Sequence, residues 1–156
     1  LDPYETPDAN LATTEQQPFQ PVKAVLLGLC VSVIVTGLAS MIEGIIFGVA
    51  MGVNLMDQTD FESTLVNSSG FLLTDLLMSA LIFYWAGRVV GKRVPGKELI
   101  FGAVVTVLTL AIFIPLSIDV FSSPLYPVWY KAMSAVVFLA AIPLGSLSCK
   151  KVKSES

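Results

Sequence analysis

Four long apolar runs, separated by short polar stretches, set the pattern of this chain. They cover about 24–53, 71–90, 99–118 and 128–147. Each run is apolar all round rather than along one stripe, as a helix is when lipid rather than water surrounds it. About 20 such residues span the ~30 Å hydrocarbon core of a bilayer as a helix. The pattern predicts an all-α fold: an integral membrane four-helix bundle occupying residues 23–149.

The first run has an internal order of its own. Every fourth residue is small: Ala24, Gly28, Ser32, Thr36, Ser40, Gly44, Gly48 and Gly52. Positions four apart lie above one another on a helix, so these residues form a groove along one side. Small residues let helix backbones approach in a membrane, where close packing drives association. Ser40, Gly44, Gly48 and Gly52 are the candidate helix-packing face. The groove suits either another helix of the same bundle, at 71–90 or 128–147, or a second copy or another membrane protein. It drifts by about 40° per step, so its two ends can meet different neighbours. About thirty residues at 1.5 Å each make ~45 Å, more than the hydrocarbon core needs. The end near Gly44, Gly48 and Gly52 therefore either projects from the bilayer or bends there.

Composition supports the membrane reading. Of 156 residues, 54% are hydrophobic and 13% charged, and the mean hydropathy is +0.78. A water-soluble domain with so few charges would expose large apolar patches. Residues 1–22 differ from the rest: Pro3, Pro7, Pro18 and Pro21 stand among acids, Thr and Gln, the composition of a disordered tail. The tail begins acidic and has no apolar core before Val22, so it is not a secretory signal. Its opening, Asp2-Pro3-Tyr4 with Pro7, Ala9 and Leu11, resembles the tails of uncharacterised small bacterial inner-membrane proteins. Those read Asn/Asp-Pro-Tyr-x-x-Pro-x-Ala and precede a multi-helix membrane region. The resemblance implies a bacterial origin and carries over no functional residue.

The bases are segregated. Arg88, Lys92, Arg93 and Lys97 follow the second run; Lys150, Lys151 and Lys153 form a basic tail at 150–156; Lys23 precedes the first run. Cytoplasmic loops are enriched in Lys and Arg, so both termini and the loop near Lys92 are expected in the cytoplasm of a cell with the protein in its inner membrane. The same basic loop can touch anionic lipid heads. Trp129, Tyr130 and Tyr126 then belong to an outer aromatic belt. Phe61, Leu65 and Val66, in the acidic link 54–70, suit a short amphipathic turn on the outer surface.

Candidate chemistry is sparse. There is no His, which removes the commonest metal ligand and general base. Cys30 and Cys149 are far apart, and no nucleophile–base pair, phosphate loop or nucleotide motif is present. No metal, cofactor, nucleic-acid partner or enzymatic activity is expected. What remains is a candidate intramembrane polar site of Glu43, Asp75 and Lys131. Alternating helix directions bring the three to similar depths near the outer surface. A charge at the bilayer centre costs at least ~2.5 kcal/mol, so such residues pair or face a wet cavity. Glu43 can pair with Lys131 at the interface, or share a pocket with Thr36, Ser40, Asp75 and Ser79. Pro115 and Pro143 mark places where the third and fourth helices can bend.

Two functions fit. The first is helix–helix association through the first helix, as a homo-oligomer or an accessory subunit of a membrane complex. The second is a small proton- or cation-coupled carrier or channel subunit using Glu43 and Asp75. Four-helix multidrug carriers are similar in carrying an acid in their first helix. Their chains are shorter and their other motif residues are not found here, so the similarity is one of architecture.

Overall fold

Where the polar tail gives way to the first apolar run, Pro21 opens a helix. Its fixed φ suits the first helical position, and the N–H it lacks would be unpaired there. The computed structural model describes residues 19–52 and 58–149. The tail expected at 1–22, apart from its last residues, and the basic tail at 150–156 lie outside the described residues. Five helices follow in order: α1 (Pro21–Ala50), α2 (Gln58–Asn67), α3 (Ser69–Gly91), α4 (Glu98–Ser122) and α5 (Val128–Leu147). The fold is all-α, and α1, α3, α4 and α5 are each long and apolar enough to cross a membrane.

Local chemistry sets the ends of these helices. Ser68 caps α3, its Oγ accepting from the Phe71 N–H at 3.3 Å, so the helix starts ahead of its apolar run. Glu98 opens α4 and accepts from the Gly96 N–H at 2.9 Å. Gly96 itself has φ +82°, a conformation that suits glycine in a turn. Gly52, with φ +69° and nothing within 4 Å of a Cβ placed on it, ends α1. It is a stop signal of the usual left-handed kind, and no described neighbour within the chain packs on it. α4 continues past Pro115 to Ser122, further than its apolar run.

α1 contains a feature absent from the sequence reading. Residues Val31–Val35 form a π-helical segment, which holds one more residue per turn than an α-helix. The extra residue turns the small side chains back toward the bundle and offsets their drift. Ala24, Gly28, Ser32 and Thr36 are all buried. The buried line then passes to Glu43, Gly44 and Gly48, while Ser40 is exposed. α1 neither stops nor breaks at Gly44 and Gly48.

α5 packs most extensively on α3 and also on α4, while α1 packs on the other side of the same two helices. α1 and α5 therefore occupy opposite corners. The groove of α1 receives its own neighbours: a Cβ on Gly28 would lie 2.6 Å from Val90 and 3.1 Å from Val105. Of the two intramolecular partners expected, 71–90 is used, and 99–118 takes the place of 128–147.

The closest approach in the bundle lies elsewhere, between α3 and α5. A Cβ on Gly87 would collide with the Ile142 carbonyl oxygen, one on Gly91 with that of Ser146, and one on Gly145 with that of Tyr84. Gly102 of α4 meets the Ser146 hydroxyl in the same way. Phe83, Phe113 and Phe138, one from each of α3, α4 and α5, meet at centroid distances of 5.1–5.9 Å and form the centre of the core.

The Gln20 N–H donates to the Arg93 carbonyl at 3.0 Å, and the Cys149 thiol donates to the Arg88 carbonyl at 3.4 Å. The start of α1, the α3–α4 turn and the end of α5 thus share one end, which carries the bases. α2 packs on α1 and α3 at the other. There Leu65 and Val66 are buried and the Phe61 ring lies 3.9 Å from the Cβ position of Gly44, so the short amphipathic element is a ten-residue helix.

Alanine substitution separates these glycines. Gly145→Ala and Gly87→Ala force backbone apart and should lower stability by about 3 kcal/mol or more, at or above the upper end for over-packed sites. Gly37→Ala, in an open part of α1, should be neutral or stabilising by up to ~1 kcal/mol through helix propensity. Reversible unfolding in mixed detergent micelles measures all three.

Candidate functional site

The end away from the bases gathers acids and hydroxyls. Glu43 lies on α1 seven residues before the helix ends, and Asp75 lies six residues into α3. At 1.5 Å per residue, both are ~10 Å inside the end of the bundle. Tyr130, in the first turn of α5, reaches the same level. Its hydroxyl donates to Asp75 Oδ2 at 2.6 Å, and the Ser40 hydroxyl donates to Asp75 Oδ1 at 3.3 Å. The Ser134 hydroxyl bonds the Tyr130 carbonyl at 2.8 Å. Asp75 is therefore held from two helices besides its own.

Glu43 is held differently. It is buried, and among the described residues its Oε1 has no hydrogen-bond partner; the Thr36 hydroxyl is the other such atom. The Glu43 carboxyl lies close enough to Asp75 to feel its charge. No described base forms an ion pair with either carboxyl.

Lys131 does not join them. Its ammonium donates to the carbonyls of Phe121 at 2.9 Å and Ser123 at 2.7 Å. It satisfies the open end of α4, where unpaired carbonyls and the helix dipole favour a cation. The pairing of Glu43 with Lys131 is thus not formed. Of the three candidate residues, the structure brings together Glu43 and Asp75 and sends Lys131 elsewhere. Of the candidate packing face, Gly44 and Gly48 are buried, Ser40 binds Asp75 at an exposed position, and Gly52 ends the helix.

Between α1, α3, α4 and α5 lies a cavity of about 170 Å³. Its polar wall is Thr36, Ser40, Asp75, Ser79, Ser117, Tyr130 and Ser134, and its floor is Phe83, Phe113 and Phe138. The volume and the number of polar partners suit several water molecules. Just outside, Tyr126 stacks on Tyr130 at 5.7 Å. Burial pushes the Tyr126 phenol above its ordinary pKa, and the Glu62 and Asp75 carboxylates and a hydrogen bond to Glu62 add to the shift. Tyr126 therefore remains a neutral donor at physiological pH.

Tyr130 is the site residue the sequence reading missed. Beside Trp129 and close to a helix start it reads as a belt residue. Its spacing to Ser134, four residues on, is the signal that it faces inward. Among the described residues no cluster of three or more His, Cys, Asp or Glu has metal-binding geometry. Comparison with protein-family models, curated proteins and solved structures gives no match.

The Tyr130–Asp75 bond is short and charge-assisted, a class worth about 1.5–3 kcal/mol. Tyr130→Phe should lower stability by that amount, and by much less in an Asp75→Asn background. Lys131→Met should leave the coupling between Tyr130 and Asp75 unchanged. A double-mutant cycle on unfolding in detergent reads both.

Proposed function

We propose that this is a small multi-pass protein of a bacterial inner membrane that moves a proton or cation through the Glu43–Asp75 pocket, as a carrier or channel subunit. One observation carries the reading: Glu43, a buried carboxyl with an unpartnered oxygen, lies within electrostatic reach of Asp75, the carboxyl that lines the cavity. A buried carboxylate without a partner is expensive in an apolar medium. A single positive charge, brought by a proton or a cation, relieves both that cost and the repulsion from Asp75. Its arrival and departure change the charge of the pocket, which is the event a coupled carrier needs.

The groove of α1 supports this reading over association. Gly28 meets Val90 and Val105 and Gly44 meets Phe61, so a second chain reaching these glycines would have to displace the chain's own side chains. The Phe83–Phe113–Phe138 floor separates the pocket from the basic end. Pro115 stands between Phe113 of the floor and Ser117 of the wall. Proline removes one helical hydrogen bond there, which eases bending. We place the moving part at that point: bending of α4 would shift Phe113 and connect the pocket to the far side. The segregation of bases supports a cytoplasmic basic end and an outward-opening pocket. The opening of the tail supports the bacterial assignment.

Purified protein in vesicles with an imposed pH gradient tests the reading. Proton entry, followed with an internal pH dye, should exceed that of empty vesicles and fall at least about tenfold in Glu43→Gln, while Lys131→Met keeps most of it. Equal entry in wild type and Glu43→Gln would overturn the role of Glu43.

A further inference from the structure

The basic end carries a second cavity, larger than the first and unrelated to it. It measures about 600 Å³ and is lined by Gln20 and Lys23 at the start of α1, and by Trp85, Arg88, Lys92 and Arg93 at the end of α3, with Val89. Four bases converge on it, from the start of α1 and from the end of α3 with the turn that follows, and among the described residues no acid lines it. Glu98, the nearby acid of the α3–α4 turn, is engaged by the Gly96 N–H. Among the described residues Lys23, Arg88 and Lys92 have no charged or hydrogen-bonded side-chain partner. The rim is fixed: the Gln20 N–H holds the Arg93 carbonyl at 3.0 Å, and the Arg93 guanidinium holds the Val89 carbonyl at 2.9 Å. The first turn of α1 adds backbone N–H groups and the positive end of its dipole.

An orientation signal needs only bases in a loop. It does not need Lys23 to meet them from another helix, or a cavity between them. Like charges held together with no described counter-charge repel, so the arrangement calls for an anion. The cavity opens at a helix end where lipid headgroups lie, and Trp85, half exposed, is of the type that sits at that level. Guanidinium and ammonium groups together suit phosphate oxygens. We propose that this cavity binds a phosphate group, with Arg88, Lys92 and Lys23 as its charge partners.

The phosphate can come from an anionic lipid headgroup or from free phosphate, and the test separates the two. Trp129→Phe leaves Trp85 as the single tryptophan of the chain and serves as reporter background in neutral detergent micelles. Short-chain phosphatidylglycerol, zwitterionic phosphatidylcholine and inorganic phosphate are titrated separately while Trp85 fluorescence is read. A saturable response to phosphatidylglycerol alone identifies a lipid headgroup site, and saturation by inorganic phosphate as well identifies a site for the free anion. In either case Arg88→Gln with Lys92→Gln should weaken binding at least about tenfold. Lys97→Gln should change it less than about twofold, because Lys97 lies over the Phe19 ring at 5.4 Å and does not line the cavity. Lys23→Gln, on the other helix, should also weaken binding and serves if the double variant does not fold. The proposal is overturned if neither phosphate compound saturates, if the cavity variants titrate like wild type, or if Lys97→Gln weakens binding as much as they do.

Discussion

The contact of α3 with α5 at glycine sets the spacing of the rest of the bundle. In lipid there is no hydrophobic gain from bringing two apolar helices together, so association depends on close packing. Gly87, Gly91 and Gly145 each meet backbone of the facing helix where any side chain would collide. That approach fixes α5 against α3, and it places Tyr130, further along the same helix, within 2.6 Å of Asp75. α4 closes on both through Gly102 and the ring cluster, and α1 completes the bundle with its small residues turned inward. The pocket is a consequence of this order: α3 and α5 touch closely toward the basic end, and the space around Asp75 remains at the other.

A bilayer interior penalises every unpaired polar group, and most buried hydroxyls here are locally satisfied. Thr106 bonds the Gly102 carbonyl, Ser134 that of Tyr130 and Ser146 that of Pro143, while Ser32 and Thr109 share a hydrogen bond of 3.0 Å across α1 and α4. The exceptions among the described residues are Glu43 and Thr36. Both lie on one face of α1, seven residues apart, and Thr36 lines the cavity. Two exceptions on one helix face, one of them at the cavity, mark that face as the place where polar groups are left to be met. The cavities also differ in charge, with four bases lining one and the Asp75 carboxyl lining the other. The two ends are therefore suited to ligands of opposite sign.

Much of this was legible in the sequence because long runs apolar all round leave little ambiguity. Each span is apolar all round, and charges inside such runs stand out, so Glu43, Asp75 and Lys131 were all visible, though not which of them would meet. Features decided by a partner across the bundle were not. The π-helical segment of α1 contains Ser32, which meets Thr109 across the bundle, and no local pattern in VSVIV announces it. Gly87 and Gly91 are four apart, but Arg88 between them draws the eye to charge, and their value depends on Ser146 and Ile142 on a helix far along the chain. Lys131 and Tyr130 are neighbours in sequence and both suit an interface, yet a rotation of 100° between adjacent residues sends one to cap α4 and the other to Asp75. The face of α1 was legible as a groove; what filled it was not.

Solvent access to the two sides of the aromatic floor tests the central claim most directly. In a variant lacking Cys30 and Cys149, single cysteines replace Ser117, which lines the pocket, and Ser32, which lies beyond the floor against Thr109. Oriented vesicles are then treated with a membrane-impermeant thiol reagent from each side. The account predicts that Ser117→Cys reacts from the acidic end only and that Ser32→Cys stays unreactive from that end. A silent Ser117→Cys, or equal labelling of both positions from the acidic end, would contradict a water-reached pocket closed by Phe83, Phe113 and Phe138.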